Sequence, residues 1–309
     1  MTENKIVLVK KKTRLEELIV RYNTVDQAKF YIEHLGSDFS DYLFEDEQYK
    51  KAIKHAYSQV ENLGKVHIVE REYISNFMFG ESDIVIAIGQ DGLVANTLKY
   101  LSCQTLIGVN PDPSRWDGVL LPFSVKDLKA VVMDVFKKKR VIKEVTMAKV
   151  TLNDGQTLYA VNDFFIGQKT HTSSRYNINF GGKSEDQSSS GIIVSTGLGS
   201  TGWLKSVFIG SANIASRISD NNIKIRDDWK MDWGSDYLYF SVREPFLSKT
   251  SKTDLVFGMV TKSNPLKILS YMPENGVIFS DGVESDFITF NSGFSADISV
   301  AEKKGHLAV

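Results

Sequence analysis

The chain has a single cysteine, Cys103, in 309 residues. One thiol excludes an internal disulfide framework. No apolar run is long enough to cross a bilayer, so no membrane partner is expected. No charge of one sign dominates either: the formal net charge is -1. That gives no pull toward nucleic acid, and a nucleic-acid partner is excluded as well. His34, His55, His67, His171 and His306 have no metal-ligand spacing with one another or with Cys103. The expectation is therefore no metal site, surface or structural histidines, and Cys103 as a small buried hydrophobe. Internal repeats and long low-complexity tracts are absent. The polar start, Met1 to Lys12, carries lysine but no arginine. It reads neither as a secretory signal nor as a mitochondrial address, and a cytoplasmic location is expected.

What is there is ordinary in bulk and specific in pattern. Hydrophobic content of 42% and charged content of 24% are those of a globular protein. The length allows two domains and a full core. Before residue 140, strand patterns alternate with helical ones. Ile6 to Val9 is a short apolar run, and Leu15 to Leu35 has mixed helical spacing. Tyr49, Ile53, Ala56, Val60 and Leu63 fall on one helix face, with Gly64 as a stop. Val66 to Val69, Ile84 to Ile88 and Thr105 to Val109 read as strands. The continuous β-branched run at Ile84 marks a strand covered on both faces. This alternation predicts an open parallel sheet with helices packed on it. Lys126 to Lys139 reads as a helix with a solvated basic end. Beyond it the pattern is β-rich, in short runs from Thr146 to Phe279 separated by turns such as Asn153-Asp154-Gly155 and Asn275-Gly276. An antiparallel domain of two packed sheets is expected, interrupted by a helix from about Trp203 to Ser216.

Three constellations can carry chemistry. Gly89-Gln90-Asp91-Gly92 ends the buried strand Ile84 to Ile88 and precedes a helical pattern. Ligands collect beyond the carboxyl ends of such strands. Glycines and a helix N-terminus let backbone N–H groups reach a phosphate. An aspartate there can take a proton from a hydroxyl; the plainer alternative is a helix cap. Val161-Asn162-Asp163-Phe164 offers donors and acceptors suited to adenine and ribose edges, or an Asx turn. Ser195 to Trp203, Ser-Thr-Gly-Leu-Gly-Ser-Thr-Gly-Trp, is a strand-to-helix turn rich in glycine and hydroxyls, a nest for phosphate or ribose oxygens. Residues 197 to 202 match G-x-G-x-x-G. A dinucleotide-binding βαβ unit also needs a second parallel strand ending in an acid. Asp220 stands near the right distance, but Asn221 to Gly234 is polar with weak apolar alternation. The match reads as accidental, the loop as a ligand site. Gly182-Lys183-Ser184 is not a P-loop, because the upstream glycine falls on Asn177.

Taken in order, the three sites resemble the NAD kinase family, which carries a Gly-Gly-Asp-Gly loop, an Asn-Glu pair and a Ser-Thr-x-x-Gly-Ser-Thr-Ala-Tyr type of loop. Ile107-Gly108-Val109-Asn110 with Asp112 and Arg115, and Ser189-Ser190-Gly191, look closest to its mitochondrial-type branch, which has bacterial members. The resemblance covers roughly Ser82 to Trp203, and Ser280-Asp281-Gly282 looks like a further element. It implies an α/β N-terminal domain with an open, mostly parallel sheet and an all-β, sandwich-like C-terminal domain. Residues 1–140 with about 285–309 would form the donor and catalytic domain, and 141–284 the NAD-binding domain. By the resemblance, Asp91 would activate the 2′-hydroxyl of the adenosine ribose of NAD or NADH. Gly89, Gln90 and Gly92 would form the phosphate loop. Asn162 and Asp163 would hold adenine and ribose, and Thr201, Gly202, Trp203 and Ser206 would line the dinucleotide pocket. The donor would be ATP, another nucleotide or polyphosphate, with Mg2+ on its phosphates. A homo-oligomer, dimer or tetramer, is implied.

The sequence departs from that pattern at several positions. Gln90 stands where the family has a second glycine, and Leu93 where it has a small hydroxyl residue. Asp163 is one methylene shorter than glutamate, Ser188 to Ser190 lack a usual acid, and Trp203 replaces tyrosine. Gln90 favours a second reading, a dinucleotide-binding regulatory protein without turnover. A small-molecule or lipid kinase sharing the first loop type is a third, opposed by Asn162-Asp163 and the third loop.

Overall fold

The apolar run Ile84–Ile88 forms a strand in which every residue is buried, at the centre of a parallel sheet. Residues 5–219, 221–226 and 230–309 are described here, in a computed structural model. Asp220, weighed above for its spacing from the glycine-rich turn, lies outside them. The chain divides into two compact units, Met1–Lys143 with Gly305–Val309, and Glu144–Lys304. The sequence-based boundaries were 1–140 with about 285–309, and 141–284.

In the first unit, β1 (Lys5–Lys10), β2 (Lys65–Glu70), β3 (Ile84–Ile88) and β4 (Thr105–Asn110) pair in the order β4-β3-β1-β2, all parallel. A short β5 (Phe123–Ser124) extends β4, and His306 and Leu307 near the chain's end also pair parallel to β4. Helices cover the sheet: α1 (Arg14–Tyr22), α2 (Val25–His34), α3 (Ser40–Val60), α4 (Asp91–Leu98) and α5 (Leu128–Phe136). On α3, Tyr49, Ala52, Ala56 and Val60 pack with Leu128, Val131 and Val132 of α5 onto Ile6, Leu8, Ile86 and Ile107. The stretch Leu15 to Leu35 is two helices. Asn23 adopts the left-handed region, φ 67°, and ends the first, while the Thr24 hydroxyl caps the second. Cys103 differs from expectation: it is exposed, because it sits in the bend between α4 and β4 and not on the apolar face of either. No described helix is long and apolar enough to cross a membrane.

The second unit holds β6 (Ile142–Leu152), β7 (Thr157–Ala160), β8 (Asp163–Gln168), β9 (Ser174–Phe180), β10 (Lys183–Ser189), β11 (Ile192–Ser195), α6 (Trp203–Ser219), β12 (Leu238–Val242), β13 (Phe257–Val260), β14 (Leu266–Ser270), β15 (Gly276–Ser280), β16 (Val283–Thr289) and β17 (Ser295–Ala308). One sheet runs β10-β9-β14-β17-β6-β7, the other β13-β12-β11-β8-β15-β16. Inward side chains of both share one core, among them Val150, Phe164, Ile178, Val194, Phe240 and Ile298. The sheets therefore pack face to face, as a sandwich does. The glycine-rich turn follows β11, whose neighbours β8 and β12 are both antiparallel. It opens no βαβ unit, and the G-x-G-x-x-G match is accidental.

Candidate active site

The loop Gly89 to Gly92 stands at the carboxyl end of β3. Gly89 is tied to β4 through its N–H to the Val109 carbonyl, 3.2 Å. A Cβ at Gly89 would come within 2.9 Å of the buried Leu93 side chain, so the glycine answers to the leucine beneath it. Gln90 is the residue before the helix, in extended backbone at φ -111°, ψ 165°, and its side chain does not cap. Extended backbone accepts any residue, so an amide where the family has glycine costs no strain. Its Oε1 accepts instead from Lys11 Nζ at 2.8 Å. Tyr49 pins the neighbourhood: its hydroxyl donates to the Ile88 carbonyl at 2.7 Å and accepts from the Lys11 N–H at 3.0 Å. Burial pushes that phenol's pKa up, so it stays a neutral donor.

Asp91 is the first residue of α4 and no cap. Its Oδ1 accepts from the Leu120 N–H at 2.9 Å and its Oδ2 from the Val119 N–H at 3.2 Å. Two amides from a separate loop thus fix the plane of a half-exposed carboxylate. That loop approaches because Gly108 in β4 has no side chain: a Cβ there would lie 1.9 Å from the Leu120 carbonyl oxygen. As the first groups of a helix, the N–H groups of Asp91 and Gly92 have no intrahelical acceptor. Gly92 is exposed, and a Cβ on it would meet nothing within 4 Å. No packing constraint explains glycine there.

In the second unit, Val161 and Asn162 form the bend between β7 and β8, and Asp163 opens β8. The Asp281 carboxylate accepts from the N–H groups of Val161 at 3.0 Å, Asn162 at 2.6 Å and Asp163 at 3.4 Å. Asp281 and Gly282 take positive φ, 56° and 67°, which turns that carboxylate back onto the bend. From the other side the Thr196 N–H reaches the Asn162 carbonyl at 2.9 Å. A Cβ at Gly199 would stand 2.2 Å from the Asn162 carbonyl oxygen, and one at Gly197 1.9 Å from that of Asp232. These glycines serve close backbone packing.

The main chain of the bend is thus fully engaged, while its side chains are not. Among the described residues, the Asn162 amide and the Asp163 carboxyl have no hydrogen-bond partner, so no Asx turn forms. Asp163 is 9% exposed. Desolvation, helped by the Asp281 charge, lifts its pKa to about 7.

The other expected residues divide. Thr201 and Gly202 are exposed at the head of α6. Trp203 stacks on Phe165, ring centroids 5.8 Å apart, and the Arg243 guanidinium lies over it at 5.5 Å. Trp203 and Ser206 line an open groove along α6 whose walls include neither Asn162 nor Asp163. Within this unit, then, Asn162 and Asp163 interlock with Thr196 to Gly199, while Trp203 and Ser206 face the groove. Sequence reasoning gave no role to Asp281 or Thr196 in shaping the bend; the Ser-Asp-Gly turn after β15 was the available signal for Asp281. Nothing in the sequence marked Lys11.

No family model matches the chain. A stretch of 124 residues, 38% of the chain, is 31% identical to human NAD kinase 2, mitochondrial. The match spans 28% of that relative's length. Among solved structures, the fold matches yeast NADH kinase complexed with NADH, with a TM-score of 0.59 at 13% identity, over 100% of this chain and 84% of that one. It also matches an NAD kinase from Archaeoglobus fulgidus in complex with ATP, with a TM-score of 0.55 at 15% identity, over 98% and 92%. The fold is that of the NAD kinases. In sequence, the chain is related to one of them over that stretch.

Proposed function

We propose that the chain is an NAD kinase, transferring the terminal phosphoryl group of a nucleotide donor to the 2′-hydroxyl of the adenosine ribose of NAD or NADH. The observation that carries this reading is Asp91, a carboxylate fixed by the Val119 and Leu120 amides at the head of a helix. A fixed carboxylate beside free helix N–H groups can serve a hydroxyl nucleophile and an anionic phosphate together. Asp91 orients the hydroxyl and accepts its proton as the new P–O bond forms and the bond to the donor's leaving phosphate breaks. The N–H groups of Asp91 and Gly92 steady the charge on the phosphoryl oxygens. Asn162 and Asp163 hold adenine and ribose with side chains that have no hydrogen-bond partner among the described residues. Near neutrality a carboxyl with a pKa of about 7 can donate as well as accept.

Among the described residues no three His, Cys, Asp or Glu side chains form a metal-binding group. Magnesium would arrive on the donor phosphates, where it would supply charge neutralisation. A homo-oligomer and a cytoplasmic location complete the reading.

The test is NADP formation from NAD, ATP and magnesium, read by a coupled dehydrogenase, with Asp91→Asn alongside. NADP from the wild type and a loss of roughly 100- to 10,000-fold in kcat for the variant are expected. Gln90 favours the second reading, a dinucleotide-binding protein without turnover. Tight NAD binding with no NADP from ATP or polyphosphate would favour it over the kinase.

A further inference from the structure

Among the described residues, Lys11 is a cation without a counter-ion. It follows β1 directly, half-buried, with its ammonium 2.8 Å from the neutral Gln90 amide oxygen. Among the described residues no carboxylate lies within 4.0 Å of it. The acids nearby are committed elsewhere. Asp41 and Glu45 are paired with both Arg14 and Arg115; hydrogen bonds from Arg115 and Arg14 hold the Asp41 pKa down to about 2. Glu72 is taken by Lys12 at 2.8 Å. Desolvation lowers the Lys11 pKa, and the fields of Glu45 and Glu17 only oppose that in part. A half-buried ammonium held by one neutral oxygen is under-compensated, and an anion would relieve it.

The position is also specific. Tyr49 ties the Lys11 backbone to the last carbonyl of β3, and Gln90 carries the ammonium to the residue just before α4. Lys11, Lys12, Gln90 and Arg115, with the acids Glu45 and Asp112, are among the residues lining a narrow cleft whose enclosed part, about 20 Å³, takes one water-sized group. That suits a phosphate oxygen.

We propose that Lys11 is a donor-binding residue, its ammonium taking an oxygen of the donor's terminal phosphate, and that Gln90 is the positioning residue that presents it. The proposal rests on the phosphoryl-transfer reading of the Gly89 to Gly92 loop. It gives the side chain that departs from the family's glycine a function: a glycine at 90 would take away the one acceptor that the Lys11 ammonium has among the described residues.

Calorimetry of the full chain with tripolyphosphate, without metal, tests this, with NAD as the control ligand. Lys11→Met should weaken tripolyphosphate roughly 10- to 100-fold and leave NAD unchanged, while Lys11→Arg recovers part of the loss. Gln90→Glu keeps Lys11 in place but gives it a carboxylate, so it should weaken tripolyphosphate about as much. Gln90→Leu keeps the charge and loses the positioning, for a smaller loss. In turnover, these losses should fall on the donor KM and not on the NAD KM, and comparing ATP with polyphosphate shows which donor carries the phosphate. Wild-type protein that ignores tripolyphosphate, or Lys11→Met and Gln90→Glu proteins that bind it as the wild type does, would overturn the proposal. NADP formation with an unchanged donor KM in Lys11→Met sinks the subsite and leaves the kinase standing. Tripolyphosphate binding lost in Lys11→Met, without any NADP from the wild type, does the reverse.

Discussion

The two candidate loops, one in each unit, are built in opposite ways. At Gly89 to Gly92 the acidic side chain is engaged, with Asp91 held by two amides, while the N–H groups of Asp91 and Gly92 have no acceptor among the described residues. At Val161 to Asp163 the main chain is engaged, held by Asp281 and Thr196, while the Asn162 and Asp163 side chains have no hydrogen-bond partner among the described residues. Free main-chain N–H groups suit a phosphate, which offers charge and no shape to read. Free side chains on a rigid bend suit a nucleoside, whose edges need particular donors and acceptors. The glycines differ accordingly. Gly197 and Gly199 make room for other backbone, while a Cβ on Gly92 would meet nothing within 4 Å among the described residues.

The comparison can be sharpened first at Asp163, where the largest effect is expected. Its pKa, about 7 against an ordinary 3.8, is raised, so its contribution to stability is fully present below about pH 4. That contribution is lost as pH rises toward about 7 and is constant above. Asp163→Asn removes this slope. Relative to wild type, the variant should gain on the order of 2–4 kcal/mol between about pH 4 and about pH 8, measured by denaturant titration. An unchanged difference across that range would mean that Asp163 is not desolvated.

Next comes one substitution at two glycines. Gly199→Ala drives a methyl to 2.2 Å from the Asn162 carbonyl and should cost about 1–3 kcal/mol, with NAD affinity lost as the bend moves. Gly92→Ala should leave stability within about 0.5 kcal/mol, because its Cβ meets nothing. Thermal melts of both variants give the contrast, and equal destabilisation would erase it.

Much of the first unit was legible because burial on both faces forces an unmistakable run. Ile84 to Ile88 is a strand as read, and Tyr49, Ala56 and Val60 do face the sheet. In the second unit, β10 (Lys-Ser-Glu-Asp-Gln-Ser-Ser) was not foreseen. Its inward residues, Glu185, Gln187 and Ser189, alternate as a strand's should but are polar. They are buried in a network with the Tyr176 hydroxyl and the Leu255 backbone, so an apolar-period search passes over them. The motif loops were legible by residue type. What holds them was not, because Gly108 acts on Asp91 through Leu120, and Asp281 on Asn162 across more than a hundred residues. Such couplings exist only after folding.

The most direct test of the division between the loops is a pair of titrations, tripolyphosphate and NAD, on Gly92→Ala and Asn162→Ala. Gly92→Ala should weaken tripolyphosphate roughly tenfold and spare NAD, and Asn162→Ala should weaken NAD to a similar degree and spare tripolyphosphate. Loss of both ligands in either variant, or the reverse pairing, would contradict it.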